Sequence, residues 1–270
     1  MNLRTIYFSA TGTSKKVALA VSQSIATDFV VEDVTFQSLQ NTTFAADDLL
    51  CVAVPVYGGG VAPVALKRLD AIRGNNTPAV VIVVYGNRNF ERAATQMSDF
   101  LAERGFVTIA AAAFVGEHSY STDENPVAVG RPNDDDIAEA QRFGELIKVK
   151  MAGTMDAVDV ATMTCPDSGE ENVKAFVEFV KGYQAEQAKN PVKLLPLTDE
   201  EKCVMCGVCV DVCPMEAIDR EDVSVVDASK CIKCCACVKE CPKEAKILNS
   251  PFAPMLSKYF ASPKPNVWVM

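Results

Sequence analysis

The fold of the last third of this chain is predicted from the sequence Cys203-Val-Met-Cys206-Gly-Val-Cys209-Val-Asp-Val-Cys213-Pro214. Three cysteines recur at intervals of three residues, and a fourth stands directly before a proline. The same pattern returns 28 residues later as Cys231-Ile-Lys-Cys234-Cys-Ala-Cys237-Val-Lys-Glu-Cys241-Pro242. Nine of the eleven cysteines of the chain lie in these two runs. The segment is therefore an internal repeat, and its two halves share the positions of four cysteines and one proline.

The spacing of the cysteines predicts two [4Fe–4S] clusters. Cysteines at i, i+3 and i+6 on a tight loop can bind three corners of one iron–sulfur cube. The fourth cysteine, before the proline, lies on the helix that follows and reaches the other cube. The predicted ligands of the first cluster are Cys203, Cys206, Cys209 and Cys241, and those of the second are Cys213, Cys231, Cys234 and Cys237.

Other uses of these cysteines fit less well. Disulfides between residues two and three positions apart would be geometrically awkward. A zinc site would need CxxC pairs about 15–20 residues apart, but neither the third cysteine nor the proline of each run. Cys235 is an extra thiol beside a ligand; a packed residue is the simpler interpretation, and replacement of Cys234 as ligand is the alternative. Cys51 and Cys165 stand alone.

The cysteine segment resembles the bacterial two-cluster ferredoxins over roughly residues 195–250. From Leu197 to Ser250 it carries seven Lys and Arg against eleven Asp and Glu. An acidic carrier of this kind is steered toward basic docking patches, so redox partner proteins with such patches are expected.

Composition narrows the remaining classes. The 270 residues are 49% hydrophobic and 23% charged, which is typical of a globular soluble protein. A formal charge of −9 disfavours nucleic acid or an anionic membrane as partner. No apolar run approaches the ~18–20 residues of a membrane span, and the start of the sequence lacks a signal-peptide pattern. We therefore expect a cytoplasmic protein.

The first 155 residues alternate between strand-like and helix-like runs. This alternation, with continuous Val, Ile, Leu and Ala in the strands, predicts an α/β fold with a doubly wound, parallel, five-stranded sheet. The predicted strands are Thr5–Phe8, Phe29–Val34, Leu49–Pro55, Ala79–Tyr85 and Phe106–Val115, and the predicted helices are Ser14–Ala26, Ala62–Ile72, Phe90–Glu103 and Asp134–Met151.

Three loops at the ends of these strands are candidates for a ligand site, because such folds bind ligands beyond the carboxyl ends of the strands. The first, Ser9-Ala-Thr11-Gly12-Thr13-Ser14, offers hydroxyls and a helix N-terminus to a phosphate, although an ordinary helix cap is an equal alternative. The others, Pro55-Val-Tyr57-Gly-Gly-Gly60 and Tyr85-Gly-Asn-Arg88-Asn-Phe90, place aromatic rings beside glycines. GxxxxGK[ST] and GxGxxG motifs are absent from the sequence.

The three loops together resemble those of the flavodoxins, a similarity that covers about residues 1–155. The resemblance implies a bound FMN. By motif, its phosphate would lie on Ser9, Thr11, Gly12, Thr13 and Ser14. One side of the flavin ring would contact Pro55, Val56, Tyr57, Gly58 and Gly59, and the other side Tyr85, Gly86, Asn87, Arg88, Asn89 and Phe90.

Some residues depart from the flavodoxin pattern. Lys15 and Lys16 follow the phosphate loop directly, where the family's cradle needs no cation. Arg88 stands where many flavodoxins have acidic residues, and beside a flavin it would favour the reduced, anionic form. A solvated loop charge is the alternative for Arg88, and Tyr57 or Tyr85 could be a plain core aromatic.

The segment from Glu117 to Asp136 has little pattern of secondary structure. A loop of this length is usually functional or disordered, and we interpret it as a flap over the flavin or a platform for the cysteine segment, with a mobile loop as the alternative. His118, the only histidine, could donate a proton to reduced flavin, although a surface or capping role is the more ordinary one.

The predicted domains are 1–155 (flavodoxin-like), 156–196 (helical linker), 197–250 (ferredoxin-like) and 251–270 (extended tail). The linker contains an amphipathic helix at Gly169–Gln187 with the apolar stripe Val173, Phe176, Val177, Phe179 and Val180. The tail, with four prolines and Trp268, predicts an extended strap on the surface.

The whole chain resembles the flavodoxin–ferredoxin fusion proteins of anaerobes. The resemblance implies an electron-transfer protein that relays single electrons between two [4Fe–4S] clusters and FMN, and on to partner proteins. One alternative is an FMN-dependent reductase of a small organic substrate, although no catalytic constellation is evident. The other is a redox sensor, which would need an effector element that the sequence does not reveal.

Overall fold

The computed structural model describes residues 2–270. The strands are β1 Leu3–Tyr7, β2 Val30–Asp33, β3 Thr42–Thr43, β4 Leu49–Tyr57, β5 Gly60–Val61, β6 Ile72–Arg73, β7 Thr77–Tyr85, β8 Phe106–Val115, β9 Leu197–Thr198, β10 Lys246–Ile247 and β11 Val267–Val269. The helices are α1 Thr13–Ile25, α2 Pro63–Leu69, α3 Ala93–Ala102, α4 Asp134–Met151, α5 Glu170–Lys189, α6 Val208–Asp211, α7 Ala236–Lys239 and α8 Phe252–Phe260, with a 3-10 turn at Val160–Thr162. Over this range, none of the helices has both the length and the apolar character needed to cross a bilayer.

The chain divides into two compact units. The first comprises the residues up to Glu117, Ala128–Pro166 and Pro263–Met270; the second comprises His118–Val127 and Asp167–Ser262. The division cuts through the predicted linker at Pro166 and through the predicted loop 117–136, whose first ten residues after Glu117 lie in the second unit.

The first unit is built on a sheet with strand order β11-β8-β7-β4-β1-β2. The five strands β2, β1, β4, β7 and β8 are parallel to one another. Numbered along the chain they lie in the order 2-1-3-4-5, which is the order of the flavodoxin-like doubly wound fold. The predicted five-stranded parallel sheet is thus present, with the antiparallel β11 added at its edge.

The strands read as continuous apolar runs because helices cover both faces of the sheet. All nine residues of β7 are buried. Helices α1 and α4 pack on one face, where Val17, Val21, Phe143 and Ile147 join one core with the strands. Helix α3 packs against β7 and β8.

Helix α4 and strand β8 have the bounds that the sequence predicts. The start of α4 is fixed by a capping box in which the Asn133 side chain accepts the Asp136 N–H and the Asp136 carboxylate accepts the Asn133 N–H. Helix α2 is shorter than predicted and ends at Leu69, because the chain turns there into β6, which pairs with β3.

The prediction of an extended tail is wrong. Residues 252–260 form α8, and residues 267–269 form β11, paired with β8. Pro254 is compatible with the helix because it lies in the first turn, where backbone N–H groups have no partner within the helix. Trp268 packs on Phe143, with ring centroids 5.9 Å apart.

In the second unit, helices α5 and α8 form a small aromatic core. Phe176 of α5 meets Phe260 of α8 edge to face at 5.1 Å, and Val127 is buried between the same elements. Of the predicted stripe on α5, Phe176 is buried and Phe179 and Val180 are partly buried. Val173 and Val177 are exposed, because the buried face of this helix is narrow.

Candidate cluster and flavin sites

The first cysteine run winds around a small, partly open cavity. Its walls include the four cysteines predicted for the first cluster: Cys203, Cys206, Cys209 and Cys241. Cys209 is carried by the short helix α6, which begins after Gly207 in a left-handed conformation, φ 79°. The first run thus supplies three sulfurs, and the end of the second run supplies the fourth.

A second small cavity is lined by the other predicted set, Cys213, Cys231, Cys234 and Cys237. Cys213, at the end of the first run, is the sulfur contributed from the other half. The buried Cys235 also lines this cavity. It occupies a left-handed position, φ 61°, directly before α7, which is the place of Gly207 in the repeat.

The backbone around each cavity fits a negatively charged cluster. The Ala217 N–H donates to the Cys213 sulfur and the Ala245 N–H to the Cys241 sulfur, each at 3.3 Å. Left-handed residues recur at equivalent places in the two runs, at Met205 and Lys233, Gly207 and Cys235, and Glu216 and Glu244. Backbone that alternates right- and left-handed residues forms concave nests of N–H groups, a common feature of iron–sulfur sites.

Each cavity has four of the predicted cysteine ligands on its walls. Within residues 2–270, no three His, Cys, Asp or Glu side chains converge as the ligands of one metal ion would. The sulfurs lie instead on the walls of two spaces. Four thiolates with N–H donors to sulfur are the surroundings in which [4Fe–4S] clusters are held.

Burial raises the pKa of four of these thiols in the metal-free chain: Cys209, Cys231, Cys234 and Cys237. It raises the pKa of Cys234 to about 11 and that of Cys237 to about 12. At Cys241, burial also raises the pKa, but backbone N–H groups, with that of Lys243 the strongest, outweigh burial and lower it. Because ligands bind iron as thiolates, cluster insertion must release protons from these sites.

The three predicted flavin loops all lie at one edge of the first unit. They follow β1, β4 and β7, which are adjacent and parallel, so their carboxyl ends meet there. The strand order reverses between β1 and β4, the position at which folds of this order bind their ligands.

The loop after β1 offers donors without protein partners. Ser14 is fully buried, and within the described chain its hydroxyl has no hydrogen-bond partner. Across residues 2–270, the N–H groups of Thr11, Thr13 and Ser14 also donate to no protein acceptor. Gly12 caps α1 in a left-handed conformation, φ 82°. This set fits a phosphate group at a helix N-terminus.

Neighbouring residues hold this loop in shape. The Ser9 hydroxyl accepts the Lys15 N–H at 3.0 Å, while the Ser9 N–H donates to the Thr35 hydroxyl at 2.8 Å. The Lys15 ammonium lies over the ring of Tyr7, 5.9 Å from its centroid, and Lys16 is exposed. Thr35 was not singled out from the sequence, because its role depends on a contact across the sheet.

The loop after β4 is a tight hairpin. Tyr57 pairs with Gly60, and Gly58 and Gly59 between them have φ of 60° and 85°. Two successive left-handed residues make a type I′ turn, so this turn is a reason for the two glycines besides approach to a ligand. The Tyr57 side chain remains partly exposed at the end of the strand.

The loop after β7 is more buried than the prediction implies. Tyr85 and Phe90 are each 2% exposed and pack edge to face, with centroids 5.4 Å apart. They are core aromatics, which leaves Tyr57 as the ring available for stacking. Asn87 is fully buried with φ 62°, and Arg88 forms an ion pair with Glu91 at 2.7 Å.

The predicted flap, Glu117 to Asp136, is divided between the two units. His118 lies in the second unit, where its Nδ1 accepts the Tyr120 N–H at 3.0 Å and its ring packs against the Tyr120 ring. The Ser121 carbonyl accepts the Lys239 ammonium at 2.9 Å, next to the second cysteine run. Residues 118–127 are therefore part of the unit that carries the cysteines, and His118 has a local structural role.

Parts of this chain are similar to known proteins. Residues 195–242 match the family described as 4Fe-4S dicluster domain. A flavodoxin from the domain Archaea is 16% identical, with a TM-score of 0.41, and Flavodoxin 2 from Bacillus cereus is 15% identical, also with 0.41; each similarity covers 57% of this chain and 100% of the other. The rubredoxin oxygen:oxidoreductase of Desulfovibrio gigas is 14% identical over 56% of this chain and 37% of its own, with a TM-score of 0.37. No curated protein sequence matches significantly.

The chain combines an α/β unit with the flavodoxin-like strand order and an iron–sulfur domain of the 4Fe-4S dicluster type. The α/β assignment rests on the strand order, and the small ferredoxin-type domain on the repeat and the matched residues 195–242.

Proposed function

We propose that this protein relays single electrons between two [4Fe–4S] clusters and a bound FMN, and passes them to partner proteins. The observation that carries the proposal is the sorting of the eight predicted ligands into two cavities, each with three sulfurs from one half and one from the other. Because the two runs exchange their last cysteine, neither cluster could assemble fully on one half alone.

The packing between the cavities supports electron exchange between them. Cys209, predicted for the first cluster, and Cys237, predicted for the second, belong to one buried group together with Ile218 and Val223. This packing places cysteines predicted for different clusters in one apolar group.

The flavin part of the proposal is supported by the loop after β1. Ser14, with the N–H groups of Thr11 and Thr13, would hold the FMN phosphate without a cation, and Tyr57 would lie along the ring. When bound, flavin can exchange electrons singly with the clusters and in pairs with other acceptors. The chain's contribution is to bind and orient it at the edge where β1 and β4 end.

The charge and the thiols suggest the setting. The acidic cysteine segment favours partner proteins with basic docking patches. Reduced thiols in this number favour a reducing compartment, and we propose the cytoplasm.

The proposal is tested on the full chain, isolated anaerobically. We expect the iron and sulfide content of two [4Fe–4S] clusters and one FMN per chain. In stopped-flow experiments, the reduced clusters should reoxidise at the rate at which FMN is reduced. Clusters that stay reduced while FMN is reduced by another route would exclude the internal relay. A chain without flavin would remove the FMN part and leave the cluster part standing.

The phosphate site has its own test. Ser14→Ala removes a hydroxyl expected to donate to a charged group, so the FMN dissociation constant should rise about tenfold to a hundredfold. Ser24→Ala, near the other end of α1, is the matched control and should bind FMN as the wild type does. Equal affinities for all three proteins would refute the assignment.

A further inference from the structure

The two halves of the cysteine repeat have the same backbone. The bonds from Ala217 to Cys213 and from Ala245 to Cys241 are equivalent under the 28-residue offset and equal in length. Ile218 faces Val226 in an antiparallel bridge, and Lys246 faces Thr198 in the equivalent antiparallel pair. The side chains at these matched positions can therefore be compared directly.

A difference between two buried side chains lies at residues 218 and 246. Ile218 is 6% exposed and lines the cavity of Cys213, Cys231, Cys234 and Cys237. Lys246 is 3% exposed and lines the cavity of Cys203, Cys206, Cys209 and Cys241. An apolar pair, Ile218 and Val226, is thus replaced in the other half by Lys246 and Thr198.

Lys246 is held by neutral oxygens. Its ammonium donates to the Thr198 hydroxyl at 2.8 Å and to the Val223 carbonyl. Within residues 2–270, none of the ion pairs includes Lys246. Asp222, the carboxylate that Lys246 influences through space, is fully exposed, so water screens that interaction.

Burying a charge with only neutral hydrogen-bond partners is costly, and a hydrophobic residue fills the same position in the other half. In the protein interior such a charge acts over a longer range than in water. Each cavity also has one exposed lysine on its wall, Lys243 in the first and Lys233 in the second, so the buried Lys246 makes the first cavity the more positive of the two.

We propose that Lys246 raises the reduction potential of the cluster bound by Cys203, Cys206, Cys209 and Cys241 above that of the other cluster. Each reduction adds one electron from an external donor such as dithionite; no bond forms or breaks, and the cluster gains one negative charge. A fixed ammonium stabilises the reduced form more than the oxidised form. The first electron then resides on the cluster beside Lys246.

The proposal rests on the proposed function only in requiring that both clusters are present. In this proposal the charge of Lys246 acts on the cluster. A purely structural role would be limited to the hydrogen bonds that Lys246 donates to Val223 and Thr198. The electrostatic role and the structural role can be distinguished with variants that keep either the charge or the packing of Lys246, but not both.

The test is an anaerobic redox titration of the full chain, followed by electron paramagnetic resonance. In Lys246→Met, which keeps the length but not the charge, the higher of the two potentials should fall. We expect the distribution of one electron between the clusters to shift at least tenfold, equivalent to about 59 mV. Lys246→Arg should stay close to the wild type. Lys243→Met removes an exposed charge from the wall of the same cavity and should also have little effect, because water screens it.

The outcomes separate the two proposals. A wild-type chain without two clusters would refute the proposed function before Lys246 is considered. Two intact clusters with unchanged potentials in Lys246→Met would overturn the present inference alone, and so would equal shifts in Lys246→Met and Lys246→Arg. If the clusters fail to assemble in Lys246→Met, Lys246→Gln replaces it in the test. Lys246→Gln keeps a hydrogen-bond donor for Val223 and loses the charge, so the same outcomes support or overturn the inference.

Discussion

Arg88 and Glu91 form an ion pair of 2.7 Å across the loop that follows β7. The Glu91 carboxylate also packs against Gly59, where a Cβ atom would overlap it, so the pair joins the loops after β7 and β4. The sequence predicts an Arg88 charge that favours reduced flavin. The structure offsets that charge with a neighbouring carboxylate.

Glu91→Gln should therefore raise the two-electron potential of bound FMN. The pair is partly exposed, with 24% and 45% of the two side chains accessible, so the change in the reduction equilibrium should be less than tenfold. A flavin redox titration measures it. Arg88→Gln should shift the potential downward, and shifts of the same sign in both variants would contradict the electrostatic explanation.

Gly144 allows helices α1 and α4 to cross closely. A Cβ atom there would overlap the Val21 carbonyl and approach the Ser24 Cβ at 2.8 Å. We expect Gly144→Ala to lower the free energy of unfolding of the first unit by about 1–3 kcal/mol. Trp268, the only tryptophan, packs on Phe143 of α4 and reports this unfolding by fluorescence.

Gly182 in α5 is the matched control for this substitution. A Cβ atom at Gly182 would meet nothing within 4 Å, and alanine is the better helix former. Gly182→Ala should stabilise its helix by roughly 0.5–1 kcal/mol, measured by circular dichroism. Destabilisation by both substitutions would show that close approach to Val21 is not the cause.

Asp136 should make the first unit sensitive to acid. Burial raises the pKa of this carboxyl, but hydrogen bonds from Arg131, Asn266 and the Asn133 N–H outweigh burial and lower it. A carboxyl with a lowered pKa contributes stability above its unfolded pKa of about 3.9, and that stability is lost as the pH falls through the lower folded pKa.

Asp136→Asn should thus lower the free energy of unfolding of the first unit at pH 7. The difference in this free energy between the variant and the wild type, the stability deficit, should shrink below about pH 4. Unfolding followed by Trp268 fluorescence at both pH values measures this. A deficit that stays constant with pH would exclude the ionised carboxylate as its source.

Cys235 should be dispensable for iron binding. It occupies the left-handed position that Gly207 fills in the other half, and glycine adopts that conformation without strain. Cys235→Gly should keep both clusters, whereas Cys234→Ser should lose the iron of the second cluster or most of it. Iron and sulfide analysis distinguishes them. Loss of iron in Cys235→Gly with retention in Cys234→Ser would instead identify Cys235 as the ligand.

Much of the fold could be predicted from local patterns. Strands such as β7 are apolar throughout because they are buried on both faces, and α4 begins at a capping box that is visible in the sequence. The cysteine spacing predicts two sets of four cysteines, and each set lines one cavity, because a repeat of fixed period constrains where each sulfur can reach. That these cysteines bind clusters stays a prediction.

The features that escaped prediction depend on contacts distant in sequence. The pairing of β11 with β8 joins residues about 155 apart, and nothing near Trp268 indicates it. The sequence predicts Tyr85 and Phe90 beside a flavin ring, whereas the structure packs them against each other, which is a tertiary property. Lys246 could have been found by aligning the two halves of the repeat, since the offset places it opposite Ile218.

The return of the chain to form β11 affects how the protein is made. The polypeptide leaves the first unit after Pro166 and enters it again at Pro263, so the cysteine repeat is synthesised before the strand that covers β8. The α/β unit is the first to begin folding and the last to be completed. The cysteine-bearing segment is tethered at both ends, and one proteolytic nick within it would leave each fragment still holding a strand of the same sheet.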